Sequence, residues 1–390
     1  MINTSSNLTN LTKVNMAKPS FNNVVDQKDL SPLTIEDINL ANESGSTLLH
    51  RAAANANRIM MDFILSQMAT AKRSSPLTLH EINPTDKYGI TVLHRTAASG
   101  DKSLVEYFLK KMSEAKRSLP LTITDINSKN DVGYTSLHRA ASSGSKEVTE
   151  YILDEMSKAK RSAPLSILDV NPSNNTKYTV LHCAAASGNK ETLELIVDRM
   201  QKAKGRTPLT LSELNPPSDN GVTVLHRAAT SGNKDTFAYI LQRISTAKGS
   251  IPVKEIEINP SNKSGFSVQH SASTSGCKDC SFVMGVEILL AQLLNSRAHS
   301  TAEAWCIDIL SDIKKENYDV HSLNYEKIYK LYEILTKKDL KNNNIKFFAF
   351  QYASYLKDEM KYIVDHQPLD ITNHTFTKDI PAYFELSSAF

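Results

Sequence analysis

The sequence predicts an all-α solenoid of six elongated repeats, followed by a small helical C-terminal domain. Six of the 11 histidines recur at a fixed interval of 44 residues: His50, His94, His138, His182, His226 and His270. Each histidine stands in the same phrase, Thr-x-Leu-His-x-Ala-Ala-x-x-Gly or a close variant. An apolar run at helical spacing, such as Leu193 to Val197, follows each phrase. A period between 20 and 50 residues indicates stacked repeats.

Each phrase is expected to form the first helix of a pair, and the apolar run the second. One pair cannot cover its own apolar face, so its leucine, alanines and second-helix aliphatic residues must be buried against neighbouring units. The paired alanines let the helices approach closely. A glycine after the first helix suits a left-handed helix C-terminus. It stands at Gly100, Gly144, Gly188, Gly232 and Gly276, with Ala56 in the first copy.

The phrase resembles the ankyrin repeat, whose signature is Thr-Pro-Leu-His-x-Ala in a unit of about 33 residues. The resemblance covers roughly residues 40–295 but lacks the proline, and each unit is about 11 residues longer. The surplus follows the second helix, as in the phrase from Ala115 to Asn127. We interpret it as a lengthened second helix that stops before Pro120, then an ordered loop and a turn into the next unit. The array would begin near residue 31.

The repeated histidine is expected to hydrogen-bond to the backbone of a neighbouring turn, together with the threonine of its phrase. A ladder of metal sites is the alternative. Zinc needs several ligands that converge on one point, whereas a 44-residue spacing puts one histidine in each unit along the stack. We therefore predict a structural role for these histidines, with neither a metal nor another cofactor.

Composition and charge narrow the classes of function that the chain can have. The formal net charge is only +3, which gives no global electrostatic reason to expect a nucleic acid. The four cysteines form no regular framework, and we interpret the pair Cys277 and Cys280 as an accident of the last repeat. The first 30 residues are rich in serine, asparagine and threonine and are expected to be disordered. No run is apolar and long enough to predict a membrane span.

The predicted divisions are a disordered segment at 1–30, the repeat array at 31–296, and a helical capping or effector domain at 297–390. A helix is expected to start at Ser300 with Glu303 in a capping box, and to place Trp305, Ile309 and Ile313 on one face. Two interpretations of this domain stay open. It covers the last apolar face of the array, or it is an enzyme with Cys306 as nucleophile and His321, His366 or His374 as base. A lone cysteine is the weakest form of that signal.

The resemblance places candidate partner-binding residues on the concave surface of turn tips and first helices. The tip position, which follows the turn glycine or, in the fourth copy, Lys177, holds Ile90, Tyr134, Tyr178, Val222 and Phe266. The position after the repeated histidine holds Arg95, Arg139 and Arg227. Aromatic residues and arginine are typical of interface hot spots. The alternative for the tip residues is that they pack on neighbouring tips. The alternative for the arginines is that they are ordinary solvated charges.

A lysine stripe recurs near the end of each second helix, at Lys72, Lys116, Lys160, Lys204 and Lys248. It is expected to complement the helix dipole, while an anionic surface is the alternative.

The most favoured function is a protein–protein interaction scaffold, and the alternative is an enzyme whose C-terminal domain modifies a target that the repeats recruit. The elongated units are similar to ankyrin effectors that intracellular bacteria deliver into host cells. That similarity implies a host protein as partner, and a location in the cytoplasm or, after secretion, in the host cytosol. A monomer is expected.

Overall fold

The computed structural model describes residues 34–73, 75–117, 119–161, 163–296, 300–319, 325–336, 353–358 and 360–361. The predicted disordered segment at 1–30 and the start of the array near residue 31 lie outside the described residues. So do most of the predicted helical stretch after residue 336 and the three candidate histidine bases of the C-terminal domain.

Six repeats follow one another, and each contains a short helix, a first helix and a second helix. The short helices are Ile35–Ile38, Leu79–Ile82, Ile123–Ile126, Ile167–Val170, Leu211–Leu214 and Glu255–Ile258. The first helices are Leu48–Ala54, Val92–Ala98, Ser136–Ser143, Val180–Ser187, Val224–Thr230 and Val268–Thr274. The second helices are Arg58–Lys72, Lys102–Lys116, Lys146–Lys160, Lys190–Lys204, Lys234–Lys248 and Lys278–Leu294.

Among the described residues, the helices Thr301–Lys315 and Tyr325–Thr336 follow the array, and residues 353–358 and 360–361 are also helical. Within the described ranges, β-structure is limited to isolated bridges at the turns, such as Thr85 with Thr91. The predicted all-α solenoid is confirmed.

The ends of the first helix are fixed by side chains of the repeated phrase. In the third repeat, the hydroxyl of Thr135 accepts a hydrogen bond from the backbone of His138, which satisfies one of the free N–H groups at the helix start. Asn127, at the end of the short helix, accepts another from the backbone of Leu137 at 2.9 Å. Gly144 ends the helix in the left-handed region with φ 73°, as the sequence predicts.

A single apolar core runs through the stack. In the third repeat Leu137, Ala140 and Ala141 of the first helix are fully buried, and so are Ile152 and Met156 of the second. Burying one such large side chain contributes about 1.5–3 kcal/mol. The same positions are buried in the adjoining repeats, so each unit depends on its neighbours for cover.

The extra residues of each repeat do more than form an ordered loop, because they include a one-turn helix. In the third repeat, Thr122 and Asp125 make a reciprocal capping box that starts this helix. The carboxylate of Asp125 also pairs with Lys116 at the end of the preceding second helix. Burial raises the pKa of Asp125, but the hydrogen bonds from Lys116 and Thr122 outweigh burial and leave the pKa below its usual value. The Thr-x-x-Asp or Thr-x-x-Glu pattern would have predicted this helix.

The lysine stripe is built into the same arrangement. Five ion pairs repeat along the array: Lys72 with Glu81, Lys116 with Asp125, Lys160 with Asp169, Lys204 with Glu213, and Lys248 with Glu257. All ten side chains are half-buried. The lysines therefore neutralise their own acidic partners, and a continuous exposed stripe for an anionic surface is not present in the described array.

The first helix after the array packs on the second helix of the last repeat. Ser300 and Glu303 form the predicted capping box. Ile309 and Ile313 are buried, whereas Trp305 is largely exposed although it shares their helical spacing. The Trp305 ring is 47% exposed, and the Lys330 ammonium lies 4.5 Å from its centre. Trp305 is one turn before Ile309, but it falls at the edge of the buried stripe.

Adjacent repeats are joined through the histidine rings. The backbone N–H of Thr91 donates to Nδ1 of His94 at 3.2 Å, so this nitrogen carries no proton. The Nε2–H group then donates to the carbonyl of Tyr134 in the next repeat at 3.0 Å. Burial lowers the pKa of His94 to about 4 and outweighs the opposing effect of the Tyr134 carbonyl, so the ring is neutral at pH 7.

The same bond recurs in the repeats on either side. His50, His138, His182 and His226 reach the carbonyls of Ile90, Tyr178, Val222 and Phe266. His270 belongs to the sixth repeat and is exposed, and its ring makes no such bond within the described part of the chain. The other five histidines thus make the expected hydrogen bond to a neighbouring turn, and this bond connects adjacent repeats.

We predict that His94→Ala lowers the free energy of unfolding by about 3 kcal/mol, because it leaves a cavity and removes the donor to a buried carbonyl. His270→Ala is the matched control in the same phrase and should cost less than about 1 kcal/mol. Urea unfolding followed by circular dichroism measures both. Equal losses in the two variants would contradict the assigned role.

Candidate partner-binding surface

The turns between the short and first helices form a row along the array. Backbone hydrogen bonds join each turn to the next, as from Asp131 N–H to the Tyr88 carbonyl and from Asn175 N–H to the Val132 carbonyl, both at 3.1 Å. The turns approach so closely that a Cβ on Gly133 would lie 2.7 Å from the Asn175 nitrogen. The row is therefore held in register by backbone contacts as well as by the histidines.

The predicted tip residues are mostly half-buried. Tyr134 lies edge-on to His138 of its own repeat, and its ring centre is 6.3 Å from that of Tyr178 in the next repeat. Tyr178 stacks on His182 with 4.6 Å between ring centres. Ile90 and Val222 are also half-buried, whereas Phe266 in the last turn is 48% exposed. These side chains pack on neighbouring turns and keep one face open to solvent.

The most exposed apolar residues of the turns stand two positions earlier. Tyr88 is 61% exposed and Val132 is 54% exposed, and each directly precedes a glycine with positive φ. The sequence analysis missed both residues. The signal was available, because the residue before a left-handed turn glycine points outward from the tip of such a turn.

Of the predicted arginines, the structure brings two together with the tyrosines. The guanidinium of Arg139 lies 5.1 Å from the centre of the Tyr134 ring, and that of Arg227 lies 5.1 Å from the centre of the Tyr178 ring. Contacts of this kind hold an arginine over an aromatic face. Arg95 is separate, since it pairs with the buried carboxylate of Asp86 at 3.6 Å in the second repeat.

Comparison with known families agrees with this architecture. Residues 49–163 and 163–248 match the family model described as ankyrin repeats (3 copies), which is about half of the chain. The chain belongs to the ankyrin-repeat family. Ankyrin repeats are in general protein–protein interaction modules. No curated protein matches the chain in sequence.

The fourth ankyrin repeat carries Cys183 where its neighbours carry arginine. Burial raises the pKa of this thiol to about 11, against the opposing effects of a hydrogen bond from Ser142 and the charges of Arg139 and Arg227. The thiol is therefore neutral at pH 7. In the row of repeats, this uncharged residue lies between Arg139 of the third repeat and Arg227 of the fifth.

The other cysteines have structural positions. Cys306 is fully buried, and burial is the main cause that raises the pKa of its thiol to about 12. Because the thiolate is the nucleophile in cysteine catalysis, this environment is unfavourable for the predicted catalytic alternative. Cys277 occupies the N-cap of the last ankyrin helix, where its sulfur accepts a hydrogen bond from the Cys280 backbone at 3.1 Å.

Two further findings concern the described ranges only. No group of three His, Cys, Asp or Glu side chains there could hold a metal ion. No helix among these residues has both the length and the apolar character needed to cross a membrane.

Proposed function

We propose that the chain binds a partner protein through its turns and first helices. The term "tip surface" denotes the side chains Tyr88, Ile90, Arg95, Val132, Tyr134, Arg139, Tyr178, Val222, Arg227 and Phe266. The observation that carries the proposal is the row formed by Arg139, Tyr134, Tyr178 and Arg227, in which two cations lie over two adjacent aromatic rings.

The tip surface is suited to binding because it is rigid before a partner arrives. Backbone bonds join the turns, and the carbonyls of Tyr134 and Tyr178 are held by histidines of the preceding repeats. A surface fixed in this way loses little conformational entropy on association. Tyrosine and arginine at the centre of an interface supply much of its binding energy. Exposed Tyr88 and Val132 extend the apolar part of the surface.

The partner in this proposal is a host protein if the similarity to ankyrin effectors holds. A lysate of eukaryotic cells is therefore the source of candidate partners. The alternative of an enzyme in residues 297–390 gains no support from the described residues, because the thiol of Cys306 is buried and protonated.

We propose that the C-terminal domain serves as a cap of the array. Its first helix covers the last ankyrin helix, and the joint includes a buried carboxylate. Glu287 is 4% exposed, and it accepts hydrogen bonds from Lys314 at 3.0 Å and from the hydroxyl of Tyr318. A terminal element that covers the last apolar face is what a repeat array requires for solubility.

The test of the binding proposal is an affinity pull-down with quantitative mass spectrometry. The tip variant Tyr88→Ser/Val132→Ser/Arg139→Gln should lose the partner that the intact chain captures, because exposed apolar area and one cation are removed. Leu119→Ser/Leu168→Ser is the control, since it removes two apolar side chains that are even more exposed from the inserted segments. Circular dichroism establishes that both variants fold. Loss in the control and retention in the tip variant would place binding on the insertions instead.

The cap is tested by Glu287→Ala, which takes the carboxylate away from the half-buried ammonium of Lys314. We expect a loss of about 2 kcal/mol in the free energy of unfolding. Asp312→Ala removes a more exposed carboxylate from the first helix after the array, next to Lys315 and Lys327, and should cost clearly less than Glu287→Ala. If urea unfolding gives the same small loss for both, the helix after the array does not stabilise its end.

A further inference from the structure

We propose that the tip surface of repeats three to five is a docking site for an acidic segment of the partner, whose carboxylates pair with Arg139 and Arg227. This inference rests on the proposed function and names the chemistry of its partner. Three observations carry it: the loss of an internal acid, the arrangement of the cations, and the residue that separates them.

The internal acid is present in the second repeat and missing farther along. There the turn residue Asp86 pairs with Arg95, nine positions later in the chain. The equivalent turn residues are Asn130 for Arg139 and Ser218 for Arg227. Both keep the turn's own hydrogen bond, since the Asn130 side chain accepts from the backbone of Tyr134 at 2.7 Å and that of Ser218 accepts from Val222 at 3.2 Å. Neither can neutralise its arginine.

The two cations are therefore held in place without an anion. No salt bridge to Arg139 or Arg227 forms within the described part of the chain. The Nε–H group of Arg227 is shielded from solvent and lacks a hydrogen-bond acceptor among the described residues. An unpaired buried donor is uncommon, and it shows that no acceptor among the described residues competes for this guanidinium group. A guanidinium held over a ring still offers its outer N–H groups to a carboxylate.

The residue between the cations adds no charge of its own. Cys183 stands where a third arginine would repel the other two, and its thiol is buried and neutral. The tyrosines beside it supply apolar faces for the rest of the segment. Since the whole chain carries only +3, the preference for acidic residues arises from this local arrangement.

The experiment restores the missing acids without touching the arginines. Asn130→Asp/Ser218→Asp copies the turn of the second repeat into the third and fifth, so the fold has a native precedent for it. Thr124→Asp/Ser212→Asp is the control, since it adds the same charge at exposed positions of two short helices. Arg139→Gln/Arg227→Gln is a second variant that removes the cations directly.

The probes are short fluorescein-labelled peptides of Glu, Gly and Leu, with counterparts that carry Gln, Lys or phosphoserine in place of Glu. Fluorescence anisotropy measures their binding to the full chain. We expect the Glu peptide to bind at least about ten-fold more tightly than the Gln peptide. That preference should disappear in Asn130→Asp/Ser218→Asp and in Arg139→Gln/Arg227→Gln, and persist in the control.

Equal binding of the Glu and Gln peptides would overturn the inference, and so would a preference that survives either site variant. Binding of the phosphoserine peptide alone would overturn it too, because the ligand would then be a phosphate group. A negative result here, together with a partner still lost by the tip variant in the pull-down, would reject the acidic class and leave the proposed function standing. If the peptides show no preference for Glu and the tip variant also keeps the partner, both the acidic class and the proposed function are rejected.

Discussion

The hydrogen bond from a neutral histidine ring to the next repeat's turn is the interaction on which the rest of this structure depends. It requires three things at once: a threonine N–H that occupies Nδ1, burial that keeps the ring uncharged, and a carbonyl of the following unit at the reach of Nε2. A charged ring could not accept at Nδ1, and the threonine N–H at the start of the first helix would lose its partner. Each ring thus couples the beginning of a helix in one repeat to the turn of another.

The same hydrogen bonds explain the position of the candidate surface. The carbonyls that accept from the histidines belong to Ile90, Tyr134, Tyr178, Val222 and Phe266, the residues whose side chains were predicted as contacts. The backbone of each tip residue is fixed by the stack, so its side chain has one direction in which to project. Tyr134 and Tyr178 then provide the rings over which Arg139 and Arg227 lie. The stabilising bonds and the proposed binding surface thus belong to the same turns.

The sequence was sufficient for the repeat and for the role of the histidines, because a fixed phrase recurs with its helix caps included. It was insufficient where a contact depends on the path of an irregular segment. The pairing of Lys116 with Asp125 needs the chain to fold back after the second helix, and neither helical periodicity nor composition predicts that path. Trp305 shares the spacing of Ile309 and yet is 47% exposed, because spacing predicts a helix face but not how far the neighbouring helices cover that face.

The candidate site was predicted in part for the same reason. Its residues could be chosen from their positions in the phrase. That Arg95 pairs with Asp86, whereas Arg139 and Arg227 lie over tyrosine rings, could not be predicted, because these contacts depend on the geometry of the turns. The sequence analysis missed Tyr88 and Val132 because their exposure follows from the turn glycine after each of them and not from helical spacing.

The most direct test of the account is an NMR measurement of the histidine ring nitrogens as a function of pH. At about pH 5 an ordinary histidine is mostly protonated. His94, His138 and His182, whose pKa values burial lowers to about 4, should remain neutral at that pH with the proton on Nε2. Rings that are protonated at pH 5, or neutral rings with the proton on Nδ1, would contradict the central claim that these bonds join the repeats.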